Sequence, residues 1–197
     1  MELYVVRHGR TQWNAEGRLQ GTTDVELDAE GRRVAIELGE QMDQRGIVFD
    51  AIYVSPLIRA YETACLIRGR HDIPIVRDER LRELGFGICE GASYEEWLDS
   101  ASPYRCFFEE PGRYVPPEEG ESLESVCQRT REFVREVLES KPSEGRYMVV
   151  AHGALNKGMM CYLEGNTIDR FWGEGLQRNC EADIFVYDGR SWNKRKG

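Results

Sequence analysis

Short apolar, β-branched runs alternate along this chain with stretches in which apolar residues recur every three or four positions. Residues 3–6 (LYVV), 51–54 (AIYV), 147–150 (YMVV) and 184–187 (IFVY) read as strands, and 73–76 as a short extended piece. Asp28 reads as an N-cap, after which Val34, Ala35, Leu38 and Met42 keep helical spacing up to Gly46. Ser55-Pro56 predicts a helix start, with serine as the cap and proline in the first helical position. Ser122 predicts another, with Leu123, Val126, Cys127, Thr130, Val134, Val137 and Leu138 as its inner stripe, and 154–163 predicts a last helix. Strands alternating with helices predict an α/β fold with a mostly parallel sheet.

The pattern breaks from about 100 to 120. There Pro103, Pro111, Pro116 and Pro117 interrupt aromatics (Tyr104, Phe107, Phe108, Tyr114) and acids (Glu109, Glu110, Glu118, Glu119). We read about 93–120 as a lid or small subdomain within one domain spanning 1–197. With 41% apolar and 31% charged residues the chain suits an ordinary folded domain. A net charge of −9 argues against nucleic acid and anionic membrane as partners, although a local arginine cluster could still hold a small anion. The opening MELYVV has no leader pattern, no apolar run reaches membrane-spanning length, and the six cysteines form no C-x-x-C pair. A cytoplasmic protein with free thiols is expected; a secreted, disulfide-bonded form is the alternative.

Two of the three histidines occupy matching settings, Val5-Val6-Arg7-His8-Gly9 and Val149-Val150-Ala151-His152-Gly153. Each follows an apolar strand and precedes a glycine, expected to let the backbone turn sharply near a ligand. Ligands in open α/β sheets bind beyond the C-terminal strand ends. Arg59, one turn past the strand end at Val54, can lean toward the same rim. Unrelated strand ends facing water are the plain alternative. Two arginines there would fork onto phosphate oxygens. A neutral imidazole attacks phosphorus well, nearby cations would keep His8 unprotonated, and His152 could donate to phosphoryl oxygens.

Arg7-His8-Gly9 with Thr11, Trp13 and Asn14, Ser55-Pro56-Leu57, Arg59-Ala60, Thr63-Ala64, Leu81-Arg82-Glu83, Gly87, Glu90, Gly91, Gly120-Glu121-Ser122 and Ala151-His152-Gly153 together resemble the histidine phosphatase superfamily, also called phosphoglycerate mutase-like. The resemblance implies a three-layer α/β sandwich with helices on both sides of the sheet. It implies that His8 is phosphorylated, that Arg7, Arg59 and His152 complete the phosphate pocket, and that Glu83 is the proton donor. Asn14, Gln20 and Gly21 are then substrate-binding positions. From the residues alone, Glu83 reads as a surface salt-bridge partner of Arg80 or Arg82, Asn14 as a turn residue and Gln20 as a loop residue. His71 reads as a surface residue and Trp13 as packing. Two departures stand out: Arg10 replaces the family's usual acid and could favour a second anionic group, and Lys157 replaces a common arginine with a less directional salt-bridge partner.

The chain's short tail and the acidic, aromatic, cation-poor stretch between Glu83 and Gly120 favour hydrolysis over a mutase reaction. The expected partner is a small phosphorylated metabolite, with Trp97, Tyr104, Phe107, Phe108 and Tyr114 covering a ring-bearing group or only packing the loop. α-Ribazole phosphate, sugar phosphates and phosphoglycerate-like acids are candidates. A homodimer is left open. A covalent phosphohistidine needs no metal or organic cofactor, and vanadate should inhibit. Two other readings are a silent phospholigand-binding protein and a His8–His152–Glu83 metal site, which the arginines disfavour.

Overall fold

A computed structural model describes residues 1–195. β1 (Glu2–Arg7) leads through α1 (Gln12–Ala15) to α2 (Ala29–Gln44), β2 (Ala51–Val54), α3 (Ile58–Arg68) and β3 (Ile75–Arg77). α4 (Tyr94–Leu98) and α5 (Cys106–Glu109) precede α6 (Leu123–Phe133), β4 (Arg146–Ala151), α7 (Gly153–Glu164), β5 (Ala182–Tyr187) and β6 (Trp192–Lys194). Among the described residues six strands form one sheet in the order β3-β2-β4-β1-β5-β6. β3, β2, β4 and β1 run parallel, whereas β5 and β6 pair antiparallel.

The apolar strand runs explain the layering. Leu3 and Val5 face one way with Tyr53 and Val149, packing on Phe133 and Val134 beside α6 and on Leu155 and Met159 of α7. Tyr4 and Val6 face the other way with Ile52 and Val150, packing on Ala35 of α2 and Ala60 and Ala64 of α3. Alternation thus buries both sheet faces, as parallel strands require. The fold is a mixed α/β sandwich of the expected class. A third core joins Trp97, Phe107 and Tyr114 to Val126 of α6 and Ala154 of α7, so the 93–120 segment rests on the body through aromatic rings.

Asp28 and Ser122 cap α2 and α6 as expected, accepting from Gly31 N–H and Ser125 N–H. Ser55 does not cap α3. That helix begins at Ile58, whose N–H is met by Asp24 Oδ1 at 2.9 Å, while Ser55 Oγ meets His152 Nε2 at 2.7 Å. The sequence pattern also missed β6, a short edge strand whose Trp192 stacks on Tyr187 (4.8 Å between centroids) and whose Lys194 blunts the sheet edge. All six cysteines are free. Among the described residues no helix is long and apolar enough to cross a membrane.

Candidate functional site

Strand register brings the histidines together. β1 pairs with β4 so that Arg7 sits opposite Ala151, which places His8 and His152 as the next residues of neighbouring parallel strands. Their ring centroids lie 5.1 Å apart, close to the interstrand spacing. β2 flanks β4 on the other side, with Val54 opposite Val150, so Ser55 emerges beside His152.

His8 is 2% exposed. Its Nδ1 lies 2.7 Å from the Gly9 carbonyl, which can only accept, so Nδ1 carries the hydrogen and Nε2 keeps its lone pair. Burial, with the charges of Arg59 and Arg7, holds His8 well below its ordinary value of 6.5, so the ring is neutral at neutral pH. Burial depresses His152 in the same way, helped by Arg59 and His8. Ser55 Oγ lies 2.7 Å from His152 Nε2 and already accepts the Leu57 N–H at 3.3 Å. The hydroxyl can give its own hydrogen to Nε2, an arrangement that leaves the imidazole hydrogen on Nδ1. Gly9 is not in a left-handed turn. Its missing side chain instead makes room for the Gly31 carbonyl of α2, which a Cβ would approach to 2.7 Å.

Arg59 is fully buried. Its Nη1 and Nη2 donate to the carbonyls of Thr23 (2.8 Å) and Gly21 (2.7 Å). Burial lowers it to about 10, which still leaves it charged. Arg7 Nη1 donates to the Gln177 carbonyl at 2.5 Å. These ties aim both guanidinium groups and limit how far either can swing. Arg7 Nε, Arg59 Nε and His152 Nδ1 are buried without a protein hydrogen-bond partner among the described residues. Buried donors normally have partners, so three of them around neighbouring side chains form a set suited to an anion.

Glu83 is 9% exposed. Its Oε1 accepts from Leu84 N–H and Leu155 N–H (both 2.9 Å) and its Oε2 from Ala154 N–H at 3.2 Å. The carboxylate thus sits on the first turn of α7, a position that suits an anion. Arg129 of α6 holds the backbone behind it. Its Nη1 donates to the carbonyls of Arg80 and Arg82 (2.6 and 2.7 Å), its Nη2 to the Glu83 carbonyl (3.3 Å), and it pairs with Glu121 at 2.8 Å. Glu83 is therefore no surface partner of Arg80 or Arg82.

Arg7, His8, Gln20, Gly21, Arg59 and Glu83 line one side of a single cavity of about 30 Å³. Phe86, Tyr94, Phe107, Phe108, Trp172 and Leu176 line the other. His152 packs against His8 and is itself fully buried. Gln20 Oε1 accepts from Thr11 Oγ1, so its NH₂ end is the one able to donate to an anion. Gly21 has a φ of 56°, and a Cβ there would fall 2.1 Å from a Glu90 oxygen, so the position needs glycine.

Two expected substrate contacts are not brought to the cavity. Arg10 is exposed and ion-paired at 2.7 Å with Asp28, the cap of α2. Asn14 closes the capping box of α1 with Thr11, and its amide oxygen accepts from Asn179 Nδ2, which also donates to the His8 carbonyl, so its NH₂ end is the one left to donate. Lys157 is buried and makes no salt bridge among the described residues; Asp183, whose charge it feels most, pairs with Lys194 at 2.9 Å. His71 is exposed beside Asp43, and Trp13 packs under the Arg18 guanidinium.

Sequence reasoning missed Ser55 as a partner of His152, and it missed Gln177, Asn179, Arg129, Tyr94 and Trp172. Asn179 Nδ2 donates to the His8 carbonyl at 2.9 Å. Gln177 Nε2 donates to the Val5 carbonyl at 3.0 Å, and its Oε1 accepts from Asn156. Both lie in a stretch without periodicity. Only their polarity between two apolar elements could have marked them.

The chain is 32% identical over 97% of its length to phosphoserine phosphatase 1 of Hydrogenobacter thermophilus, covering 89% of that protein. It is 35% identical over 98% of its length to a probable phosphoglycerate mutase of Klebsiella pneumoniae, covering 87% of it. A solved mycobacterial glucosyl-3-phosphoglycerate phosphatase superposes with a TM-score of 0.87 at 28% identity, covering 98% of this chain and 96% of that one. The family profile of the histidine phosphatase superfamily (branch 1) matches residues 3–196, and the chain belongs to that superfamily.

Proposed function

We propose that this protein hydrolyses small phosphomonoesters through a phosphohistidine formed on His8. The observation that carries the reading is the set of three partnerless buried donors, Arg7 Nε, Arg59 Nε and His152 Nδ1, around a neutral imidazole with a free Nε2. A dianionic phosphoryl group supplies the acceptors this set lacks. His8 Nε2 attacks phosphorus, the ester P–O bond breaks, and Glu83 gives its proton to the leaving oxygen. Water then attacks phosphorus while the Glu83 carboxylate takes up its proton, and the P–N bond breaks, releasing phosphate and restoring neutral His8. His152 Nδ1–H and the two guanidinium groups hold the equatorial oxygens as charge builds. The relatives include both phosphatases and mutases. The aromatic wall opposite His8, with no cation beyond Arg7 and Arg59 among the described lining residues, favours water over a second phosphorylated acceptor.

The test is phosphate release from p-nitrophenyl phosphate by the unaltered protein and by His8→Ala. Activity should fall by roughly 10⁴ in the variant. An acid-labile, base-stable phosphoryl label should form on the unaltered protein alone. Equal rates in both proteins would refute the reading, and isomerisation of 3-phosphoglycerate outpacing hydrolysis would replace it with a mutase.

A further inference from the structure

We propose that the leaving group of the substrate is an uncharged ring, and that esters carrying a carboxylate beside the phosphate are poor substrates. The inference rests on the hydrolase reading above and names the class of ester it takes. The wall facing His8 is a built aromatic surface. Phe107 is 1% exposed and anchors it. Trp172 Nε1 donates to the Phe107 carbonyl at 2.5 Å, and the Trp172 ring stacks on Phe108 with centroids 5.8 Å apart and 26° between planes. The Tyr94 ring meets Phe108 at 6.1 Å. The core that fixes Trp97 and Phe107 thus also fixes the slot's rings.

The cavity's volume is about 30 Å³, close to the room for a single water. A phosphoryl group fills the arginine side, so anything attached to it must part Tyr94, Phe108, Trp172 and Leu176 and lie against their faces. A ring gains apolar burial and stacking there.

A carboxylate loses water in the same place without a partner. Among the described lining residues the only cations are Arg7 and Arg59. Outside the cavity Arg10 is engaged with Asp28 and Arg18 with Glu16 and the Gly91 carbonyl, while Lys194, paired with Asp183 and Glu174, and Arg170 lie in an outer groove beyond the Trp172–Phe108 wall. Phosphoserine and phosphoglycerate, the ligands of related enzymes, would therefore meet no counter-charge here.

The test compares kcat/KM for benzyl phosphate, ethyl phosphate, O-phosphoserine and 3-phosphoglycerate, all alkyl esters. Benzyl phosphate should exceed ethyl phosphate about tenfold and phosphoserine about a hundredfold. In Trp172→Ala the benzyl-to-ethyl ratio should fall below about threefold. Phosphoserine or 3-phosphoglycerate turned over as efficiently as benzyl phosphate overturns the inference. So does an unchanged ratio in a folded Trp172→Ala.

If that variant fails to fold, calorimetry on the unaltered protein with benzylphosphonate and with 2-amino-3-phosphonopropionate decides instead. The same titration decides if no ester is hydrolysed, an outcome that sinks the hydrolase reading separately. Tighter benzylphosphonate sustains the ring preference, and equal or reversed affinity ends it.

Discussion

His152 shows how much a single hydroxyl can settle. Ser55 Oγ, fully buried, holds Nε2 of the ring and, by donating to it, leaves the imidazole hydrogen to the atom without a protein partner. Ser55→Ala removes that control but leaves the apolar surroundings intact. We expect kcat for a phosphomonoester to fall between about tenfold and a hundredfold, with KM changed less than twofold. Stability should drop by only about 1 kcal/mol. Steady-state kinetics beside urea denaturation separates the two, and an unchanged kcat would remove Ser55 from the machinery. Arg10 teaches the opposite lesson. It stands within a motif that suggests ligand contact, but the Asp28 carboxylate claims it first.

At the level of elements, the α6 side chain Arg129 ties together the two ends of the Glu83 segment, taking three carbonyls and the Glu121 carboxylate at once. Arg129→Met breaks all of these. The expected result is a loss of about 2 kcal/mol in stability. A kcat reduced by up to about a hundredfold should follow from the displaced carboxyl group. Guanidinium in the buffer restoring part of the rate would tie the loss to the vanished fork. No change in kcat would show that Glu83 keeps its place without the clamp.

The elements themselves were largely legible in the sequence. The runs LYVV, AIYV and YMVV are apolar on both faces, which suits central parallel strands, and the residue after each is forced to the sheet's rim. Pairing of those strands then made the meeting of His8 and His152 readable. Ser-Pro, a good cap signal locally, puts the helix after β2 too early: it starts at Ile58, where Asp24 from a distant loop meets the N–H, a contact no local pattern shows. The rings divide between the two readings the sequence leaves open, and Phe107 and Phe108 line the cavity. Trp97 and Tyr114 pack into the third core, while Tyr94 and the unforeseen Trp172 face the cavity. Aromatic content alone does not say which side of a loop each ring takes.

Across the whole molecule, two neutral imidazoles at the centre couple folding to acidity. In the folded chain His8 and His152 bind protons well below their ordinary 6.5. The unfolded chain therefore holds more protons once the pH drops under about 6.5, and stability declines from there as acidity rises. With both residues in play the slope approaches about 2.7 kcal/mol per pH unit. Paired acids such as Glu121, lowered from 4.5, add their share only at more acid pH. Urea midpoints at pH 7, 6 and 5 should fall steeply, and a flat series would mean the rings are charged in the fold. The narrow space between the arginines and the aromatic rings has a kinetic corollary. A door that must open for the ester to enter must open again for the alcohol to escape. The better a ring fills the slot, the longer it lingers, so the alcohols favoured at low concentration should turn over most slowly at saturation, with escape setting the pace.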